Sequence, residues 1–229
     1  MNTPLTHCGM TTHCRQMKNL QPTRLDGPRH SGRGLRIAAL AIGLAGLGWL
    51  LAGCVPTSVH PFYRAADVFQ DHALLGVWRD KPDGKEGWTF TEGEGKSYKV
   101  EIQSDDQKAV FVGHLFKLGE ERFLDLYPTQ AGLEEKLQRN PYAMALIPGH
   151  LFFRLRRTEP ALRMSSMDLD WLRQQLKRDP TAIDNAILLE DRVVFTSRTE
   201  VIQAFIKKHL NNAGAWNEMY GDGLVRVGG

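Results

Sequence analysis

From Leu74 onwards, apolar residues recur at every second position in short runs, and turn-forming residues separate the runs. Tyr98, Val100 and Ile102 alternate with Lys99 and Glu101, the period-two signature of a strand with one buried face. The same reading predicts strands at Leu75–Arg79, Trp88–Phe90, Ala109–Leu118, Arg122–Tyr127, His150–Arg157, Ala161–Ser166 and Arg192–Thr196. The connections, such as Pro82-Asp83-Gly84 and Gly119-Glu120-Glu121, are short and built from residues that suit turns. Consecutive strands on short connections predict an antiparallel meander. The period shifts towards 3.6 in three places. Leu133–Arg139 has helical composition. Asp168–Arg178 carries Leu169, Leu172 and Leu176 on one face, with an acidic cap ahead and Pro180 behind. Thr199–Leu210 places Ile202, Phe205 and Ile206 together and ends in Lys207, Lys208 and His209, which suit the negative end of a helix. Residues 213–229 show no sustained period and are expected to form a loose tail.

Nearer the N-terminus, Ile37 to Leu51 is an uncharged apolar run, short for a membrane-spanning helix of about 20 residues and of the right length for a signal-peptide core. Arg33 and Arg36 precede it, and Leu51-Ala52-Gly53-Cys54 ends it. This tetrapeptide resembles the lipobox of bacterial lipoproteins, with Leu51, Ala52 and Gly53 as recognition residues and Cys54 as the lipid-attachment site. The resemblance implies removal of residues 1–53, acylation of Cys54 and handling by the lipoprotein processing and sorting machinery. Multiple acyl chains would anchor the protein stably to a membrane. Val55 stands where an Asp would favour retention in the inner membrane. The resemblance therefore implies an outer-membrane location facing the periplasm. Met10 and Met17 are alternative starts to Met1. Residues 54–73, with Pro56 and Pro61, are expected to be a lipidated tether, and 74–212 the folded domain.

Composition changes the picture once the leader is set aside. The whole chain has 29 basic and 26 acidic residues, but six of the basic ones precede Cys54. Residues 54–229 hold 23 basic and 25 acidic residues, a net charge of −2, which gives no electrostatic footprint for nucleic acid. Of the three cysteines, Cys8 and Cys14 would leave with the leader and Cys54 would be acylated. Thiol catalysis and cysteine-ligated metal are then excluded. His7, Cys8, His13 and Cys14 lie in the leader, and no metal site or cofactor is expected.

Gly76-Val77-Trp78 resembles the Gly-x-Trp of the first lipocalin strand. The resemblance implies a mainly β fold: an antiparallel lipocalin-like barrel of about eight strands with two or three helices, and with Trp78 at the barrel base. It also implies a basic residue packed on that Trp, for which Arg198 is the candidate. Such a barrel holds a small apolar ligand or is filled by its own side chains. The candidate lining is Trp88, Phe90, Tyr98, Phe111, Phe116 and Phe153, with Val110 and Met164. The expected function is that of a membrane-anchored envelope lipoprotein binding a fatty acid or lipid. The alternative is a non-enzymatic interaction protein with a filled barrel, using exposed Trp216 and Tyr220 as a partner surface. Two further patterns stand out. Gly113-His114-Leu115-Phe116 is echoed by Gly149-His150-Leu151-Phe152, and His114 and His150 could meet Asp125. No HExxH, Gly-x-Ser-x-Gly or phosphate loop accompanies them, so an enzyme is not expected. Arg154, Arg156, Arg157 and Arg163 form a candidate cationic stripe.

Overall fold

The alternating runs pair in the order in which they occur, and the chain's last residues close the ring. The computed structural model describes residues 55–104, 107–139, 147–188 and 192–228. Leu51, Ala52, Gly53 and Cys54, with the apolar run before them, lie outside the described residues. The strands are β1 (Thr57–Ser58), β2 (Gly76–Arg79), β3 (Gly87–Glu92), β4 (Ser97–Ser104), β5 (Gln107–Leu118), β6 (Glu121–Pro128), β7 (His150–Arg157), β8 (Ala161–Met167), β9 (Asn185–Leu188), β10 (Arg192–Phe195), β11 (Trp216–Glu218) and β12 (Leu224–Val227). The helices are α1 (Gln130–Arg139), α2 (Leu169–Arg178) and α3 (Thr199–His209).

Strands β2 to β8 pair antiparallel in sequence, and β12 pairs with both β8 and β2. The result is a closed eight-stranded antiparallel barrel with peripheral helices, as the lipocalin-like reading expects. Closure removes the sheet edges that an open meander would expose. Residues 213–228 are therefore not a loose tail. They run along one edge of β8, first as β11 and then as β12, and supply the closing strand. A short annex, β1-β10-β9, leaves the barrel at the first residues of β7: Thr57 pairs with Leu151 on one side and Val194 on the other. The expected tether is likewise built into the body, because Phe62 is fully buried.

Two apolar clusters follow from the period-two pattern. Odd positions of β5 and even positions of β6 point into the barrel, where Leu115, Leu124 and Leu126 join Trp88, Phe90 and Phe153. The opposite faces carry Phe116, Phe123 and Phe152, which pack outside the barrel against Phe62, Phe195 and the apolar stripes of α2 and α3. Strands β5 to β7 are thus covered on both faces. Asp168 caps α2, its Oδ1 accepting from the Trp171 amide at 2.6 Å. Burying each large apolar side chain contributes about 1.5–3 kcal/mol, so the outer layer matters to stability as the interior does.

Candidate functional site

The barrel interior is the first place to look for a ligand. Trp88 stacks over Phe90 with ring centroids 6.0 Å apart, and meets Phe153 edge-on at 5.2 Å. Phe90 meets Tyr98 edge-on at 6.2 Å. These four rings are 0–1 % exposed. Their polar atoms are satisfied by the protein itself. Trp88 Nε1 donates to the Tyr220 hydroxyl at 2.7 Å, and the Tyr98 hydroxyl both accepts from the Asp71 amide and donates to its carbonyl. At Gly113 even a Cβ would stand 2.7 Å from Val100 Cγ2. Of the expected lining, Trp88, Phe90, Tyr98, Phe153 and Met164 are in the interior, and Phe111 packs at its margin. Phe116 is a correction: it is one residue out of phase with Leu115 and lies in the outer cluster.

The barrel base is closed by a different arginine from the one expected. Trp78 is buried and its Nε1 donates to the Leu74 carbonyl at 2.8 Å. The guanidinium of Arg226, on β12, lies 4.4 Å over its ring. Arg226 also donates to the carbonyls of Leu75 and Ala73. Gly76 has φ +123°, and a Cβ there would come within 2.9 Å of Arg226 Nη1, so glycine answers both the backbone and the close approach. Arg198 is exposed and precedes α3, its carbonyl accepting from the Val201 and Ile202 amides. An open groove of about 520 Å³ lies beside this base, lined by Trp78, Thr158, Glu159, Pro160 and Arg226. Its one cation is already bound to the backbone carbonyls.

His114, Asp125 and His150 do converge. Strand β6 lies between β5 and β7, and all three side chains project from the outer face of the wall. His114 is directly opposite Asp125 in the register. Asp125 is fully buried, and its Oδ1 is 2.8 Å from His150 Nδ1. Its Oδ2 accepts from the Phe62 amide at 2.9 Å. Tyr63 stacks on His114 at 4.5 Å, and Tyr127 lies 4.5 Å from His150. His114 Nδ1 is buried without a partner. Burial holds the His114 pKa below its ordinary value, with Asp125 opposing and His150 adding to the effect. Burial, and then the Asp125 charge, pushes the Tyr63 phenol up. A general base must reach a substrate proton, and the carboxylate of this dyad is fully buried against the Phe62 amide. Ser58, the cross-strand neighbour of His150, has its hydroxyl accepting from the His60 amide at 3.0 Å. Among the described residues no serine, threonine or cysteine is hydrogen-bonded to the dyad.

The other expected surfaces are used internally. Arg154 is 2 % exposed; its guanidinium binds Glu121 at 2.7 Å, donates to the Leu210 carbonyl at 2.9 Å and lies over Trp216 at 5.3 Å. The cationic stripe is therefore broken at Arg154, and the Arg157 side chain lies outside the described residues. Trp216 packs on the outer cluster and Tyr220 on the inner one, so neither offers the partner surface expected of them. Among the described residues no group of His, Cys, Asp and Glu is placed to hold a metal, and no helix is long and apolar enough to cross a membrane. Comparison with protein-family models, curated proteins and solved structures finds nothing that matches this chain.

Proposed function

We propose that this protein is a lipid-anchored component of the bacterial cell envelope that acts by surface contact, with a barrel filled by its own side chains. The observation that carries the contact reading is the packed interior: Trp88, Phe90, Phe153 and Tyr98 occupy the space a ligand would need. The close approach at Gly113 supports the same reading. The address rests on Leu51-Ala52-Gly53-Cys54 and the cationic, apolar leader before it. Acylation at Cys54 follows from that motif, and placement on the periplasmic side of the outer membrane from Val55 beside it.

Expression of the full chain in a Gram-negative host with labelled palmitate tests the anchor. Label is expected in the wild type and absent after Cys54→Ser. Native mass spectrometry of the detergent-solubilised protein tests the filled barrel. A single acylated mass with no further lipid is expected. A stoichiometric, non-covalent lipid lost on mild denaturation would overturn the contact reading and restore that of a carrier.

A further inference from the structure

Residues Val59–Arg64 cross the outer barrel wall as a strap, with Tyr63 over His114 and the Phe62 amide on Asp125. The strap is fastened along its length. The Pro61 carbonyl accepts from Thr199 Oγ1 at 2.7 Å, and the Phe62 carbonyl from Gln203 Nε2 at 3.0 Å. The Phe62 amide donates to Asp125, Phe62 stacks on Phe152 at 4.2 Å, and Tyr63 covers His114. One carboxylate faces two imidazoles beneath this cover. Both its oxygens are already committed, Oδ1 to His150 and Oδ2 to the Phe62 amide. A buried charge is tolerated when paired and costly when not. Asp125 carries one negative charge and bonds His150 directly, whereas His114 Nδ1 is buried without a partner, so charge on both imidazoles could not be balanced.

We propose that His114, Asp125 and His150 form a proton-operated latch that releases the Pro61–Tyr63 strap from the barrel wall in mildly acidic surroundings. At neutral pH the imidazole of His114 is uncharged, and Tyr63 packs on it. A proton on His114 leaves a buried charge beneath Tyr63 whose Nδ1–H has no acceptor, since the neighbouring Asp125 carboxylate is bonded to His150. Lifting the strap lets water solvate that charge, so proton uptake and release are coupled. The low pKa that burial imposes on His114 is the thermodynamic counterpart: the open form binds the proton more tightly, so acid favours it. The other titratable and charged groups around the strap are consistent with this assignment. Tyr63, whose phenol burial pushes up, is neutral in this range, and Tyr127 packs beside His150. His60 is exposed on the strap itself. Arg64 pairs with Asp67 at 3.0 Å, Glu200 of α3 acts on Arg64, and Arg64 holds the Asp67 carboxyl below the usual range. The latch does not depend on acylation of Cys54, although the strap is the segment that would join the barrel to that anchor.

Hydrogen exchange of the full chain in detergent reads the latch directly through the Phe62 amide. Rates are corrected for intrinsic chemistry, and the interior Val100 amide on β4 serves as the global reference. One histidine proton alters the opening equilibrium by at most about tenfold per pH unit below its ordinary value. Protection at Phe62 is therefore expected to fall about five- to tenfold between pH 7.0 and 5.5 while staying well below that of Val100, whose exchange reports global stability with its own pH dependence. His114→Phe and His114→Asn are each expected to abolish the fall. Equal protection at both pH values would overturn the latch. So would equal protection of Phe62 and Val100 at pH 5.5, which would mean global unfolding, or a fall that persists in whichever of the two variants folds.

Discussion

At the scale of single residues, Gly76, Trp78 and Arg226 form a unit whose parts depend on one another. Glycine gives the guanidinium room, the ring gives it a π face, and two carbonyls accept its protons. Arg226→Ala is expected to cost about 1–2 kcal/mol in urea unfolding, through a lost cation–π contact and charge-assisted hydrogen bonds. Arg198→Ala is expected to stay within about 0.5 kcal/mol, as for an ordinary exposed side chain. The Trp half of this unit was legible as a motif. The Arg half was not, because it lies on a four-residue strand near the far end of the chain. His209 makes a second prediction. Its ring lies 4.8 Å from both Trp171 and Phe205, and its Nε2 is buried without a partner. Burial, with Lys208 adding to it, lowers its pKa. A lowered folded value means that the unfolded chain takes the proton first. The stability is present above the ordinary histidine value of about 6.5 and is lost as pH falls below it. Asp67, Glu101 and Glu121 are also lowered, by Arg64, Lys108 and Arg154 respectively, so a second loss is expected below about pH 4.3. Thermal melts from pH 8 to 3 should show both steps, and His209→Phe should shrink the upper one. A melting temperature that is flat between pH 7 and 5 in the wild type would contradict this account.

At the scale of elements, what could be read from the sequence was what is local. Strands β3 to β8 alternate cleanly and connect over short turns, and α2 and α3 carry apolar stripes with caps, so each announces itself within about ten residues. The elements that were missed are β1, β9, β11 and β12, each two to four residues long. A run that short holds no period, and its strand character comes from partners far away: Leu224 pairs with Leu162, and Thr57 with both Leu151 and Val194. The meeting of His114 with His150 was legible for the opposite reason. The repeated Gly-His-Leu-Phe puts both histidines on the outer faces of the two strands that flank β6, two residues apart in register. The tail supplies the sharpest test of closure. Truncation after Asn212 removes β11 and β12 and leaves β2 and β8 with unpaired edges. It also uncovers Trp78 and removes Tyr220 from Trp88. Circular dichroism of the truncated chain is expected to show no cooperative melt, whereas a dispensable tail would leave the transition unchanged.

At the scale of the whole molecule, the question is whether the barrel is a container or a pillar. A container keeps its apolar interior empty of side chains, and widening it should cost little. A pillar is packed at the density of any core, and removing a ring should leave a void with a measurable cost. Phe153 decides between these because it lies fully buried against Trp88, on the strand that also carries the outer cluster through Phe152. Phe153→Ala is expected to cost about 3–5 kcal/mol in denaturant unfolding, the range for a phenylalanine deleted from a close-packed core. Gly113→Ala, which adds a methyl against Val100, is expected to cost about 1–3 kcal/mol for the opposite reason, since a full interior resists addition as well as removal. The void left by Phe153→Ala is apolar and should take up xenon or benzene, which stabilise the variant by occupying it. The wild type should gain nothing from either. A wild-type barrel that is stabilised by xenon or benzene, together with a Phe153→Ala loss below about 1 kcal/mol, would mean that the interior already has room. The contact reading would then give way to that of a ligand carrier. The same pair of measurements also reports on the outer layer. If the strap and helices brace β7 from outside, the variant keeps its fold despite the loss, and its added void remains a defined site.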